Sequence, residues 1–355
     1  MIRDPGSQDD QAPFEILFCA EPGYYRHAAV AAASLADNNR RYRANIHVLT
    51  CAEDQATEAM LRKSLAAYEH VSLTFHHVSA SRLNDVFIDR YLTKEAYLRF
   101  LAPEIFPADV DRVLYLDCDL VVLDNLGPLW NTDLCGKAVA AAPDFPWDRS
   151  GMLSRRLASL GLGAHHTYVN SGVLVLDLDC WRRNRISERL FACARERGSA
   201  LAFHDQDAIN AVLHDDVHVL DCRWNLQARM YMLGRRSFPS EFAATRHARR
   251  RPAIVHYTTG DKPWLFRSQA ARKRHYFRYL DKTAWRTARP DLPTVLQRAE
   301  WRLGRQLLRV GIDYMWLASW ARRIALTPGR LLRRSLARAR RSTPPRLARL
   351  WRAIS

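Results

Sequence analysis

The stretch that decides the fold is Leu114-Tyr-Leu-Asp-Cys-Asp-Leu-Val-Val-Leu123, "LYLDCDLVVL", an otherwise apolar strand that carries Asp117 and Asp119 in its middle. Aspartate is depleted from strands and is costly to bury without a partner, so this pair needs an explanation beyond packing. In an extended chain the two side chains point to the same side, while Cys118 points away. Two hard oxygen ligands that converge on one spot suit a divalent cation such as Mn²⁺ or Mg²⁺.

Strands and helices alternate around this stretch. Short apolar runs predict strands, and amphipathic or Ala-rich segments predict helices between them. The predicted strands cover 14–20, 44–50, 71–78 and 113–116, and the predicted helices cover about 27–37, 54–68 and 94–101. This alternation predicts an α/β fold with a mostly parallel sheet. Ligands of such sheets lie beyond the carboxyl ends of the strands, and Asp117 and Asp119 follow the strand 113–116 at that end.

The charge is concentrated near the C-terminus. Of the 355 residues, 54 are Lys or Arg and 37 are Asp or Glu, a net charge of +17. Residues 314–355 contain eleven Arg and no acid, so the rest of the chain carries only +6. Helical spacing of apolar residues within this basic region predicts an amphipathic helical tail over 286–355. The polar residues 1–13 are predicted to be a disordered leader.

The cysteine content and the hydropathy of the chain bear on the cellular compartment in which the protein is expected. Seven Cys, an odd number without zinc-ligand spacing, argue against a disulfide framework, and the N-terminus has no apolar signal-peptide core. No run approaches the length that crosses a bilayer. We therefore expect a cytoplasmic protein whose membrane contact is peripheral.

The Asp-x-Asp pair alone leaves several alternatives open. It could cap a turn, or it could belong to a haloacid-dehalogenase-like phosphatase, because Asp-x-Asp-x-Val resembles the motif of that family. In a phosphatase Asp117 would attack phosphorus, Asp119 would act as acid/base, and Asp215-Asp216 could supply a later acidic motif. A non-catalytic basic nucleic-acid-binding protein is a further alternative suggested by the charge.

Three further motifs favour a different family. "NSGVLVLDLDCWRR" (170–183), "HDQDAIN" (204–210) and "HYTTGDKPW" (256–264) follow the first motif in this order. Together the four resemble family 8 glycosyltransferases, especially bacterial lipopolysaccharide galactosyl- and glucosyltransferases, over roughly 14–265. The resemblance implies a GT-A (Rossmann-like nucleotide-diphospho-sugar transferase) domain, here 14–285. It also implies a retaining, metal-dependent hexosyltransferase that uses UDP-galactose or UDP-glucose.

The resemblance assigns a metal and diphosphate site. The metal ligands fall on Asp117, Asp119 and His256, although a strand-end histidine could equally be satisfied by backbone. Gly260 would let the backbone approach the diphosphate and Lys262 would neutralise it. Gly260 stands four residues after the histidine, whereas three is common in the family.

The resemblance places the donor sugar beside a second group of residues. Asn170, with the adjoining Ser171, would hydrogen-bond the sugar, although an Asn before a strand can also make its own turn. Arg99 and Asp144 match donor-contacting positions, and each alone would be an ordinary surface charge.

Asp205 and Gln206 match the acid and amide beside the reacting sugar. Asp205 could also cap a helix. The Gln206 amide is a poor nucleophile, which favours front-face attack by the acceptor hydroxyl, and Asp205 remains an alternative covalent trap.

The nucleotide site implied at the first strand fits the family less closely. It comprises Cys19, Ala20, Glu21, Tyr24 and Cys118. Tyr24 would stack on uracil and Glu21 would replace an Asp, but the turn "CAEPGY" lacks the usual Asn.

The resemblance implies two partners: a lipid-linked glycan acceptor, namely a lipopolysaccharide or lipooligosaccharide core, and an anionic inner membrane. The tail combines Arg and Leu with three tryptophans, Trp316, Trp320 and Trp351. This combination favours an interfacial membrane helix over nucleic-acid binding. The alternative is a cationic tail that is simply solvated.

Overall fold

The computed structural model describes residues 12–87, 94–144, 152–232, 239–266 and 268–290. The strands in these ranges are β1 Phe14–Cys19, β2 Ala44–Thr50, β3 Val71–His77, β4 Arg112–Leu116, β5 Leu120–Val122, β6 Val139–Pro143, β7 Val169–Asp177, β8 Val217–Val219, β9 Leu226–Gln227 and β10 Ile254–His256. The α-helices are α1 Tyr25–Asn38, α2 Gln55–Leu65, α3 Ala102–Ile105, α4 Gly127–Trp130, α5 Met152–Ser159, α6 Leu178–Arg183, α7 Ile186–Arg197, α8 His204–Leu213, α9 Pro239–Ala244, α10 Arg246–Arg250 and α11 Lys273–Leu280. The predicted helix 94–101 is a 3₁₀-helix, Lys94–Leu101.

A seven-stranded sheet with the order β3-β2-β1-β4-β7-β6-β8 forms the centre of the fold. Neighbours are parallel among β1–β4 and between β6 and β8, which confirms the predicted α/β class. Strand β7 is antiparallel to both β4 and β6, which was not predicted. Because of this reversal, the beginning of β7 lies beside the end of β4, and the Asp117 N–H donates to the Gly172 carbonyl at 2.8 Å.

The motif "LYLDCDLVVL" is divided between two sheets: the predicted strand 113–116 is confirmed within β4, and the apolar residues after Asp119 form a separate strand. β4 ends at Leu116, the chain bends at Cys118 and Asp119, and β5 begins at Leu120. β5 belongs to a three-stranded sheet with the order β5-β10-β9. The two carboxylates therefore lie at a junction between sheets, where polar groups need not be buried within a ladder.

Both faces of the large sheet are covered, as the continuous apolar runs of its central strands require. On one face the small residues of α1 let the helix pack closely against Ile16, Phe18 and Leu114. On the other face Tyr115 and Leu174 pack with Trp181. The rigid centre of the fold thus carries the strand ends at which the polar motifs lie.

Most of the predicted leader 1–13 and the tail beyond residue 290 lie outside the described residues. Among the described helices, none has the length and apolar character needed to traverse a bilayer. All seven cysteines are free thiols.

Candidate active site

The structure brings Asp117, Asp119 and His256 together at the junction of the two sheets. One ligand atom from each side chain lies within 4.8 Å of the others. His256 Nε2 is 3.0 Å from Asp119 Oδ1 and 3.4 Å from Asp117 Oδ2. Adjacent ligands of a six-coordinate ion with bonds near 2.1 Å stand about 3 Å apart, so the spacing fits Mn²⁺ or Mg²⁺. Two carboxylates and one imidazole are also a suitable donor set.

Gly172 makes this convergence possible, and sequence reasoning did not assign it to the site. A Cβ at this position would lie 2.1 Å from His256 Cε1 and 2.6 Å from Asp117 Oδ2. Such contacts are far inside van der Waals distance, so any side chain here would displace two of the three candidate ligands. In the sequence, the glycine of "NSG" was the feature that could have indicated this close approach of side chains.

Asn225 orients the candidate histidine ligand. His256 Nδ1 lies 2.9 Å from Asn225 Oδ1, and Asn225 Nδ2 donates to Asn170 Oδ1 at 2.8 Å. With one proton on Nδ1 donated to Asn225, Nε2 is the nitrogen that faces the carboxylates, and an ion bound there would take the place of the proton on Nε2; such an outer hydrogen bond is the usual second interaction of a metal-binding histidine. Asn225 is buried and lies in no recognised motif, so it was missed.

The charges of the cluster are strongly coupled. Burial would raise the pKa of the Asp119 carboxyl, but Lys262 and His256 hold it well below its usual range. Burial likewise opposes ionisation of Asp117, and Arg99 with His256 nevertheless lowers its pKa. Burial disfavours the charged imidazole, yet Asp119 and Asp117 raise the pKa of His256 to about 9. The two carboxylates therefore stay ionised and attract positive charge, which is the requirement for a cation site.

Lys262 lies at the triad, whereas Gly260 shows no contact there. Lys262 Nζ donates to Asp119 Oδ2 and, at 2.6 Å, to the Tyr257 carbonyl. Gly260 is exposed, and a Cβ built on it meets nothing within 4 Å. The protein itself thus gives no reason for glycine at 260, and the predicted diphosphate contact stays a prediction.

Arg99 is buried rather than an ordinary surface charge, because only 5% of it is exposed. Its guanidinium donates to the Ser171 carbonyl at 2.7 Å and to Asp117 Oδ1 at 3.1 Å, and it pairs with Asp205 Oδ2 at 3.2 Å. The ring of Tyr115 lies beneath it at 4.1 Å. Arg99 therefore joins the metal cluster to the second group of predicted site residues.

That second group is organised around the Gln206 amide. Gln206 Oε1 accepts from Asn170 Nδ2 at 2.9 Å and from the Ser171 N–H at 3.2 Å. Gln206 Nε2 donates to Asp144 Oδ2 at 3.0 Å. The structure thus brings all four predicted positions into one hydrogen-bonded network at the start of α8 and β7.

Asp205 points into the same network and does not cap the helix. Its Oδ2 accepts from Ser171 Oγ at 3.0 Å, and burial raises the pKa of its carboxyl, although Arg99 opposes this. Asp207 instead accepts the Phe203 N–H at 2.6 Å at the beginning of α8. The capping alternative for Asp205 is therefore wrong.

The implied nucleotide site lies at the end of β1 and in the turn that follows it. Cys19 and Ala20 are buried, and Cys118 turns into the core, where its Sγ lies 3.5 Å from the Cys19 carbonyl. Glu21 is partly exposed, and burial raises the pKa of its carboxyl. Tyr24 is 37% exposed, so its ring is available for stacking.

An aromatic group behind Tyr24 was missed by the sequence reasoning. Trp264 packs edge-on to Tyr24 at 6.3 Å and stacks on His27 at 3.6 Å. Trp264, the last residue of the "HYTTGDKPW" motif, thereby connects the loop that carries Lys262 to the beginning of α1.

Comparison with known proteins assigns the family. The sequence profile of glycosyl transferase family 8 matches residues 15–268.

The chain belongs to glycosyl transferase family 8.

Relatives of this glycosyltransferase span most of its length. General stress protein A of Bacillus subtilis is 29% identical over 279 residues, which are 77% of this chain and 94% of that protein. The lipopolysaccharide 1,2-glucosyltransferase of Escherichia coli K12 is 22% identical over 291 residues, 79% of this chain and 82% of that protein. The predicted resemblance to lipopolysaccharide transferases is confirmed.

Solved structures confirm the predicted GT-A fold. The galactosyltransferase LgtC, solved in complex with donor and acceptor sugar analogues, superimposes with a TM-score of 0.66 at 24% identity and covers 81% of this chain and 99% of its own. A bifunctional glycosyltransferase, WbbM, superimposes with a TM-score of 0.65 at 20% identity, covering 78% of this chain and 51% of its own.

Proposed function

We propose that this family 8 glycosyltransferase is a retaining, metal-dependent enzyme that transfers galactose or glucose from its UDP conjugate to a glycan acceptor. The observation that carries the proposal is the Asp117, Asp119 and His256 triad, whose ligand atoms converge within 4.8 Å beside Lys262. Family membership favours this chemistry over the phosphatase and nucleic-acid-binding alternatives.

The triad would hold Mn²⁺ or Mg²⁺ through two carboxylate oxygens and His256 Nε2. A divalent ion bound there supplies Lewis-acid stabilisation of negative charge on a diphosphate leaving group. Lys262 adds a positive charge at the same place, and it can exchange Asp119 for a phosphate oxygen because its ammonium lies on a flexible stem. Asn225 keeps the proton on His256 Nδ1 so that Nε2 remains a ligand.

Gln206 is proposed to position the sugar rather than to attack it. Its carbonyl oxygen already accepts two hydrogen bonds, from Asn170 and from the Ser171 N–H, which lowers its nucleophilicity. This supports front-face attack, in which the acceptor hydroxyl gives its proton to the departing diphosphate oxygen. Asp205 is held by Ser171 and Arg99, and a covalent role for it is the alternative within this proposal.

The proposed acceptor is a lipid-linked glycan such as a lipopolysaccharide core, and the proposed location is the cytoplasmic face of an anionic membrane. The support is the similarity to a lipopolysaccharide glucosyltransferase and the composition of residues 314–355, with eleven Arg and no acid. Such a segment is attracted to anionic lipid, and Leu and Trp add apolar insertion.

A hydrolysis panel tests the proposed function. UDP-galactose, UDP-glucose and other nucleotide sugars are incubated with the protein in Mn²⁺, in Mg²⁺ and in EDTA, and released UDP is measured. We expect a slow, metal-dependent release of UDP from one of the two UDP-hexoses. Equal release in EDTA, or aryl phosphatase activity without UDP-sugar hydrolysis, would overturn the proposal.

A further inference from the structure

A second cluster of metal-binding side chains lies apart from the residues assigned to catalysis. It consists of His166, which precedes β7, and of His214 and Asp215, which directly follow α8. Ligand atoms of all three lie within 4.8 Å of one another. His214 Nε2 is 3.2 Å from Asp215 Oδ2, and His166 Nε2 is 3.6 Å from Asp215 Oδ1.

Both distances, each to a different oxygen of Asp215, are close to the separation of neighbouring ligands of a tetrahedral ion. Ligands about 2.0–2.1 Å from a tetrahedral zinc ion stand roughly 3.3 Å from one another. Two imidazoles and one carboxylate are a donor set that favours Zn²⁺ over the oxygen-preferring Mg²⁺ or Ca²⁺. Asp215 has 80% of its side chain exposed, which leaves space for water at a fourth position.

The second ring nitrogen of each histidine faces a backbone carbonyl. His214 Nδ1 lies 3.1 Å from the Ala211 carbonyl. His166 Nδ1 lies 3.2 Å from the Gly163 carbonyl and 3.1 Å from the Gly163 N–H. A proton on His214 Nδ1 is satisfied by its carbonyl, which leaves that Nε2 lone pair for a metal, and His166 offers Nε2 in the tautomer whose Nδ1 donates to the Gly163 carbonyl. Surface His–Asp pairs do not require this arrangement, whereas metal-binding histidines almost always have it.

The position of the cluster connects two elements of the active site. His214 follows the last turn of α8, whose first turn carries Asp205 and Gln206, and a cation is favoured at that end of a helix. His166 stands three residues before β7, which carries Asn170 and Ser171. An ion at the cluster therefore ties the far end of α8 to the segment that leads into β7.

We propose that His166, His214 and Asp215 form a second metal site, selective for Zn²⁺ or a similar borderline divalent cation. The ion holds α8 against the segment before β7 and has no part in the transfer chemistry. The Asp215 main chain is already fixed, because Lys137 Nζ donates to its carbonyl at 2.8 Å and leaves the carboxylate for the ion.

The test is a count of zinc ions bound to full-length protein that carries no histidine tag. Wild type, His166→Ala, His214→Ala and the control His165→Ala are dialysed against buffered Zn²⁺, and the metal is measured by mass spectrometry. His165 is an exposed histidine adjoining the cluster, and it is not among its candidate ligands. We expect one zinc ion fewer per chain in both cluster variants and no change in the control. Equal zinc content in all four proteins, or the same loss in His165→Ala, would overturn the proposal.

A second variant protects the test against misfolding. Asp215→Asn changes an exposed side chain, so the fold should survive, and we expect at least a tenfold weaker zinc affinity by calorimetry. Co²⁺ should give a four-coordinate visible spectrum in the wild type that His214→Ala abolishes. Retention of both the affinity in Asp215→Asn and the spectrum in His214→Ala would contradict the assignment.

Discussion

Gly172→Ala should disable the proposed catalytic metal site without removing any ligand. The new methyl carbon would stand 2.1 Å from His256 Cε1 and 2.6 Å from Asp117 Oδ2. To restore ordinary contact at 3.4 Å, the imidazole must move by at least about 1.3 Å, more than twice the displacement of about 0.5 Å that a preorganised site tolerates. His256 is only 2% exposed and is hydrogen-bonded to Asn225, so it has little space into which to move.

Two magnitudes follow from this clash. Overpacking of a buried position lowers the free energy of unfolding by about 1–3 kcal/mol. Misplacing His256 and Asp117 should weaken metal binding by about 10–100-fold, the usual effect of disturbing the support of a ligand. Calorimetry of UDP binding in the presence of Mn²⁺ measures the second effect, and thermal unfolding measures the first.

The matched control is Gly198→Ala, which lies outside the residues assigned to the site. A Cβ there meets nothing within 4 Å, and the φ of +47° strains any residue with a side chain, so this change costs stability without crowding a ligand. We expect its metal-dependent UDP affinity to stay within about threefold of wild type. If Gly172→Ala binds Mn²⁺ and UDP as well as the control does, the reasoning about convergence at Gly172 is refuted.

Three further predictions concern chemistry, pH and membrane binding. Gln206→Ala should lower UDP-hexose turnover at least about 100-fold while UDP affinity changes less than about threefold, and normal turnover or a sugar adduct on residue 206 would contradict its positioning role. Burial, with a smaller contribution from Arg26, lowers the pKa of His27 to about 3, so the unfolded chain takes up the proton first and stability is lost as pH falls below about 6.5. Between about pH 7.5 and about pH 4.5 the wild type should lose about 2–3 kcal/mol more unfolding free energy than His27→Phe, and parallel pH profiles in denaturant melts would refute this. Deletion of residues 314–355 should abolish salt-sensitive binding to anionic vesicles, because each Arg contributes about 1 kcal/mol to that binding, while UDP-hexose hydrolysis should persist. Unchanged vesicle binding would show that the membrane anchor lies elsewhere, and lost hydrolysis would show that the domain boundary is wrong.

The local elements could be predicted because their signals are local. The bounds of β2 match the apolar run 44–50, and α2, Gln55–Leu65, lies within the predicted helix 54–68. Strand pairing depends on residues far apart in sequence. The reversal of β7 and the exchange of sheets at Asp117–Asp119 therefore had no readable signal, although both decide how the site is built.

In the candidate site, too, residues in local motifs could be predicted, whereas residues whose role depends on distant contacts could not. Asp117, Asp119, His256 and Lys262 lie in motifs with strong chemical character, and the structure places them together. Asn225 lies in a plain sequence, "RWNLQ", and its importance comes from a contact with a residue 31 positions away. Arg99 could not be recognised as buried because its partners come from separate strands and helices.

The most direct test of the central claim is calorimetry of UDP binding to wild type and Asp119→Asn, in Mn²⁺ and in EDTA. The substitution keeps the shape of the side chain and removes the charge that pairs with His256 and Lys262. With thermal unfolding as the check on folding, we predict binding in the wild type that requires Mn²⁺, and a loss of at least about 100-fold in Asp119→Asn. Binding of equal strength in EDTA, or in a folded Asp119→Asn protein, would contradict the claim that Asp117, Asp119 and His256 hold the metal on which the donor depends.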